Sequence, residues 1–172
     1  MTPAGGPEED PREKARQKAW RLLQIRPHSE RELWRKLRER GFHSDVLEDV
    51  FAELKRCRYL DDPAYALQKA RHLAMDRLLG DRRIVCTLRE KGLDAGLIAK
   101  AIAEIRETFP ETEALRRLIR RKIQNGTFAD PDDRMMQKMI RSLWGRGFST
   151  GLIFEILKRM KEEEDLNDQS GV

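Results

Sequence analysis

SERELWRKLRERGFHSDVLEDVFAELK, residues 29–55, reads as two amphipathic helices joined at Gly41. Leu33 and Leu37 stand eight and four places before the glycine, the spacing of one buried helix face. Gly41 supplies the left-handed backbone that ends a helix, and Phe42 can then pack back on the preceding turn. The pattern recurs at residues 80–106 (GDRRIVCTLREKGLDAGLIAKAIAEIR) and 135–161 (MMQKMIRSLWGRGFSTGLIFEILKRMK), and Gly92 and Gly147 align on Gly41 without a gap. Leu88 and Leu143 match Leu37, and Ile84 and Met139 match Leu33. After the glycine, the second helix of each copy carries Val46, Leu97 and Leu152; Leu47, Ile98 and Ile153; Val50, Ala101 and Ile156; and Leu54, Ile105 and Met160 at equivalent places.

One more amphipathic stretch precedes each pair: Lys14–Ile25 before Arg26-Pro27, Ala64–Leu79 before Gly80, and Glu111–Gln124 before Asn125-Gly126. Each repeat is therefore three helices. The glycines lie 51 and then 55 residues apart, and a longer loop at Asn125–Asp133 accounts for the difference. Units this small gain from stacking on one another, so the expected fold is all-α, three tandem three-helix repeats stacked into an elongated, curved array. The expected boundaries are 12–58, 59–107 and 108–161. Acidic tails at 1–11 and 162–172 lack periodic apolar residues and are expected to be disordered.

Residues 12–161 carry all 35 basic side chains but only 22 of the 30 acids, so the formal net charge of +5 understates how basic the body is. Such an excess suits a polyanionic partner, either nucleic acid or an acidic protein surface, against the plainer reading of a solvated helical surface. There is no export signal at the start and no apolar run of membrane-spanning length, which makes the cytoplasm the expected compartment, with no membrane partner. Cys57 and Cys86 form no metal-binding spacing and read as buried thiols.

No catalytic, cofactor-binding or metal-ligating constellation is visible. His28, His43 and His72 have no ligand spacing and read as surface histidines near caps, and there is no Walker loop, GxGxxG or HExxH. Asp61-Asp62 before Pro63 reads as a helix N-terminal cap. Trp20, Trp34 and Trp144 fall in predicted helices, where packing between units is the expected role and a binding anchor the alternative.

The basic residues carry the functional signal. Arg31, Arg35 and Arg38 lie on the arc opposite Leu33 and Leu37. Between Ala114 and Ala129 there is no acid, while Arg116, Arg117, Arg120, Arg121 and Lys122 flank a stripe of Leu115, Leu118, Ile119 and Ile123. A solvated face usually interleaves opposite charges, so this arc points to a partner that supplies the negative charge. Arg82 and Arg83 sit at a helix start, where the macrodipole disfavours cations, and need either such a partner or pairing with Asp76 or Asp81.

The ordered set PHSERELWRKLRERGF (27–42), YLDDPAYA (59–66), GDRRIVCTLREKGLD (80–94) and RGFST (146–150) resembles the RecX family of bacterial regulatory proteins over about residues 14–160. The resemblance implies three tandem triple-helix modules that bind the recombinase RecA and RecA filaments on single-stranded DNA. It implies restraint of filament growth, strand exchange and co-protease activity, within homologous recombination, DNA repair and the SOS response. It implies no cofactor and no catalysis, and contact with single-stranded DNA directly or through RecA; a monomer is the expected state. Residues 1–11 and 162–172 match nothing in the family pattern, and the third repeat is the least similar copy. The runner-up is a helix-turn-helix-like protein acting directly on DNA. Its reading positions, His43-Ser44-Asp45, Asp94-Ala95-Gly96 and Ser149-Thr150-Gly151, are short and in two copies acidic, which suits base reading poorly. An enzyme is a third, weaker reading.

Overall fold

The computed structural model describes residues 10–123 and 133–169, and all regular structure among them is helical. The first repeat consists of α1 (Pro11–Ile25), α2 (Glu30–Arg38) and α3 (Ser44–Arg56). The second consists of α4 (Asp62–Arg71), continued by a π-helical turn at His72–Asp76, then α5 (Asp81–Glu90) and α6 (Ala95–Thr108). The third consists of α7 (Glu111–Lys122), α8 (Asp133–Gly145) and α9 (Thr150–Gln169). The expected loop at Asn125–Asp133 falls almost wholly outside the described residues.

The three glycines end α2, α5 and α8 in the same way. Gly41, Gly92 and Gly147 have φ of 86°, 83° and 98°. In each case the glycine N–H donates to the carbonyl three residues back, and the next residue's N–H donates to that of Leu37, Leu88 or Leu143. This is the paired hydrogen bonding of a Schellman turn. Most predicted inward positions are buried in all three copies, including Leu33, Ile84 and Met139 before the glycine and Leu47, Ile98 and Ile153 after it, whereas Val46, Leu97 and Leu152 lie at the edge of the buried face and are only half-buried. Short polar side chains start the helices: Ser29 accepts from the Glu32 N–H, Asp61 from Ala64, Asp94 from Leu97 and Ser149 from Leu152. The first helix of repeat 2 departs from the single amphipathic helix expected, because the π turn brings both Leu73 and Ala74 to the core.

The tails need correction. Asp10 caps α1 by accepting from the Arg12 N–H, and Pro11 occupies the first turn, so these two belong to the helix. At the other end α9 runs on to Gln169, through most of the stretch expected to be disordered. Glu163 on that extension forms an ion pair with Arg116 of α7, a long-range partner that apolar periodicity cannot register. Residues 1–9 and 170–172 lie outside the described residues.

The apolar interior falls into two clusters. Repeat 1 has its own, from Ala15 to Leu60, whereas repeats 2 and 3 share one that runs from Tyr65 to Met160. Hydrogen bonds and ion pairs that cross between repeats, among the described residues, join only neighbours. Both joints follow one plan, in which the start of the second helix of one repeat meets the glycine turn of the next. At the first joint the Ser29 hydroxyl donates to the Lys91 carbonyl, and the Glu30 N–H donates to Asp62 at 2.8 Å. At the second joint the Gly80 N–H donates to the Arg146 carbonyl at 3.0 Å, and the Asp81 N–H donates to Glu111 at 2.8 Å.

Two of the three glycines also admit the neighbouring repeat. A Cβ on Gly92 would lie 2.6 Å from the Cβ of Arg31, and one on Gly147 would lie 2.5 Å from the backbone nitrogen of Arg83. The first joint holds a buried carboxylate besides. Glu32 accepts from Arg26 at 2.8 and 3.0 Å and from Lys91 of repeat 2 at 2.9 Å. Chiefly through the Arg26 hydrogen bonds, and against its own burial, its carboxyl is held down at about 2.

Candidate functional site

Because each second helix starts on the turn that ends the next, α2, α5 and α8 form a continuous path across the repeats. At 1.5 Å per residue the path is on the order of 50 Å long. The outward positions, three to four residues apart on each helix, are Arg31, Arg35 and Arg38 on α2; Arg82, Cys86 and Arg89 on α5; and Gln137, Arg141 and Trp144 on α8. All nine are exposed. Six of them are arginines; of the acids next to them in sequence, Glu32 is buried against Arg26 and Lys91, Glu30 pairs with Lys55 and Asp81 with Arg106, while Glu39 and Glu90 are exposed.

At the first joint this track opens into a cleft of about 520 Å³, in which Arg31, Arg35 and Arg38 face Arg89 and Lys91 across the repeat boundary, with Trp34 and Glu90 among the other lining residues. Arg35 is loosely paired with Glu39 at 3.5 Å, and Arg38 donates to the Phe42 carbonyl at 2.9 Å. At the second joint Arg82 lies over the ring of Trp144, 5.6 Å from its centroid, while the backbone of Arg83 rests against Gly147. Neither arginine takes up the alternative pairing. Asp76 instead binds His72, and Asp81 binds Arg106.

The α7 arc is arranged differently. Leu115, Leu118 and Ile119 are buried and the arginines face outward, as the helical phase requires. Two of those arginines have carboxylate partners of their own. Arg116 makes a bidentate pair with Glu163 at 2.9 and 3.1 Å, and Arg117 pairs with Glu113 at 2.6 Å and lies 5.1 Å from the ring centroid of Phe109. Arg120, Arg121 and Lys122 occupy the last turn, where the helix dipole favours cations.

Models of the first and third three-helix domains of RecX match residues 15–54 and 110–157 of this sequence. The regulatory protein RecX of Syntrophotalea carbinolica is 32% identical over 146 residues, spanning 84% of this chain and 95% of its own. The chain belongs to the RecX family. The RecX regulatory protein of Streptomyces coelicolor is 31% identical over 160 residues, or 93% of this chain and 84% of its own. In fold, the crystal structure of RecX from Lactobacillus salivarius matches 88% of this chain with a TM-score of 0.75 at 23% identity.

The RecX-family relatives are regulatory proteins by name, and among the described residues no group of three or more His, Cys, Asp or Glu side chains is placed to hold a metal ion. Among the described residues no helix is long and apolar enough to cross a membrane. His28 departs from the surface role expected of it. It is buried, hydrogen-bonded to the Arg26 carbonyl and Lys36, and burial together with the nearby cations lowers its pKa. Both cysteines are exposed rather than buried, because Cys57 caps the end of α3 and Cys86 points away from the Ile84–Leu88 face of α5. Trp20 and Trp34 pack edge-on against Tyr59 and Phe51, as helix-packing aromatics do, but Trp144 is 52% exposed. Asp94 and Ser149, which a base-reading helix would aim at DNA, are engaged as caps.

Arg89, Lys91, Arg141 and Trp144 do not stand out by local charge, since each lies apart from the arginine clusters in sequence. The repeat alignment holds the available signal, because it places Arg38, Arg89 and Trp144 at one equivalent position.

Proposed function

We propose that this chain restrains a RecA-type recombinase by lying along its filament on single-stranded DNA, with the α2–α5–α8 track facing the filament. The observation that carries this reading is the cleft at the first joint, where arginines of two repeats converge on one opening. A track that crosses repeat boundaries can touch successive protomers, and several weak contacts on linked units raise the effective concentration of each. Such a surface favours a repetitive filament over a single free recombinase. Arg31, Arg35, Arg38, Arg82 and Arg89 form the core of the surface. Arg83 and the α7 residues Arg116, Arg117, Arg120, Arg121 and Lys122 are secondary, since Glu113 and Glu163 already balance part of the α7 charge.

Reversing Arg31, Arg35, Arg38 and Arg89 to glutamate tests the proposal. These side chains are exposed, so the helical circular dichroism spectrum is expected to stay unchanged. Affinity for the recombinase filament is expected to fall at least about tenfold, or roughly 1.4 kcal/mol. A quadruple variant that restrains strand exchange as well as the parent would overturn the assignment.

A further inference from the structure

From Arg134 to Phe154 the sequence contains no acid, yet it holds Arg134, Lys138, Arg141 and Arg146. The first three stand one turn apart along α8, all exposed, and with Met135 they line an open depression of about 540 Å³. Unlike α7, where carboxylates on α7 and α9 answer two of the arginines, this helix has no acid of its own between Arg134 and its end to offset its charge. At the end of the same helix stands Trp144, half exposed with Arg82 of the preceding repeat over its ring. The equivalent positions in the other repeats are Arg38 and Arg89, so an aromatic ring replaces a cation at this one place on the track. A tryptophan that served only packing would be covered, as Trp20 and Trp34 largely are.

We infer that α8 and Trp144 form a binding site for single-stranded nucleic acid, with phosphates on Arg134, Lys138 and Arg141 and one unpaired base stacked on Trp144. Cations spaced along a helix follow a phosphate backbone, and an exposed indole at the end of that row offers the flat π surface on which an unpaired base stacks irrespective of its sequence. Arg82 fixes the ring from the neighbouring repeat by a cation–π contact, which keeps the platform in place before the strand arrives. An acidic peptide could satisfy the cations but has no use for the exposed ring. A duplex could satisfy the cations but keeps its bases stacked inside. Trp144 thus sets the preference for a single strand. This rests on reading the track as the surface turned to the filament, but the site belongs to the strand and not to the recombinase.

The experiment uses the full chain without recombinase. Binding is measured to a fluorescent oligodeoxythymidylate, to an abasic oligonucleotide of the same length and to a duplex. Trp144→Ala is expected to lower affinity for oligodeoxythymidylate about tenfold and to leave affinity for the abasic strand unchanged, while Trp144→Phe retains most of the binding. Lys138→Gln with Arg141→Gln is expected to weaken both strands and to make the salt dependence shallower by about 0.7 in slope for each phosphate no longer neutralised. Equal losses by Trp144→Ala on ordinary and abasic strands would overturn the stacking role. If the α8 changes leave strand affinity unaltered but weaken binding to the recombinase filament, α8 meets protein, the inference fails, and the proposed function stands.

Discussion

At the joint between repeats 1 and 2, Glu32 sits buried between Arg26 and Lys91. At the joint between repeats 2 and 3 the equivalent position is Arg83, whose backbone lies against Gly147. The surrounding hydrogen bonds match, down to Asp62 and Glu111, two equivalent carboxyls each raised by burial. What fills the plan differs. The second joint is closed by a shared apolar core and close backbone contact, and the first by a charge cluster between two separate cores. Burying charge gains little net stability but fixes orientation, because either partner left alone is costly. One repeat family can therefore couple its members firmly or conditionally without changing the geometry of the contact.

The largest expected effect tests the close contact. Gly147→Ala forces a left-handed residue and drives a Cβ into the backbone of Arg83, so a loss of at least about 3 kcal/mol is expected. For Gly92→Ala the three nearest atoms all belong to the side chain of Arg31, which can move in part. Gly41→Ala meets nothing and should lose only the left-handed penalty of about 1–2 kcal/mol. Urea unfolding of the three variants gives the order, and equal losses would erase the difference between the joints.

The next test concerns the charge cluster. Glu32 has a folded pKa of about 2 against 4.5 unperturbed, so its contribution is fully present above about pH 4.5 and is lost as pH falls toward 2. That contribution is on the order of 3 kcal/mol. Asp62 and Glu111, with raised values, act in the opposite sense, favouring the fold below their ordinary range and losing that contribution as pH rises through their folded values. Glu32→Gln is expected to cost about 2–4 kcal/mol near neutrality, and to flatten the acid limb of stability between pH 4.5 and 2. Unfolding followed across that range in parent and variant decides it.

The smallest effect separates two equivalent ion pairs. Arg106 is mostly covered and serves Asp81 together with the Leu79 and Phe109 carbonyls, whereas Lys55 is half exposed and makes an ion pair with Glu30. Arg106→Ala is expected to cost about 2 kcal/mol, and Lys55→Ala less than about 1 kcal/mol. Thermal melts of the two variants would show whether the second joint is the firmer one in its polar contacts as well.

The repeat and its inward faces were legible because they are local. Leu37, Leu88 and Leu143 recur at fixed distances from a glycine, and each is fully buried. The joints were not legible, since the contact of Glu32 with Lys91 spans 59 residues and obeys no helical period. The same reason divides the candidate surface. Arg31, Arg35 and Arg38 share one helix and stand out together, while Arg89, Arg141 and Trp144 join them only when three helices meet end to end. On α7 the acid-free run was real, but its partners were Glu113, one turn upstream, and Glu163, on another helix.

Gly41 makes the same turn as its two counterparts, yet among the described residues no atom lies within 4 Å of where its Cβ would stand. The joint is directional. Each repeat presents the start of its second helix to the glycine of the repeat that follows, so among the described residues the turn at Gly41 is left uncovered. A further copy of repeat 2 spliced before α1 would find its mating turn already built at Arg40-Gly41, so the same contact can be made once more without altering the repeat.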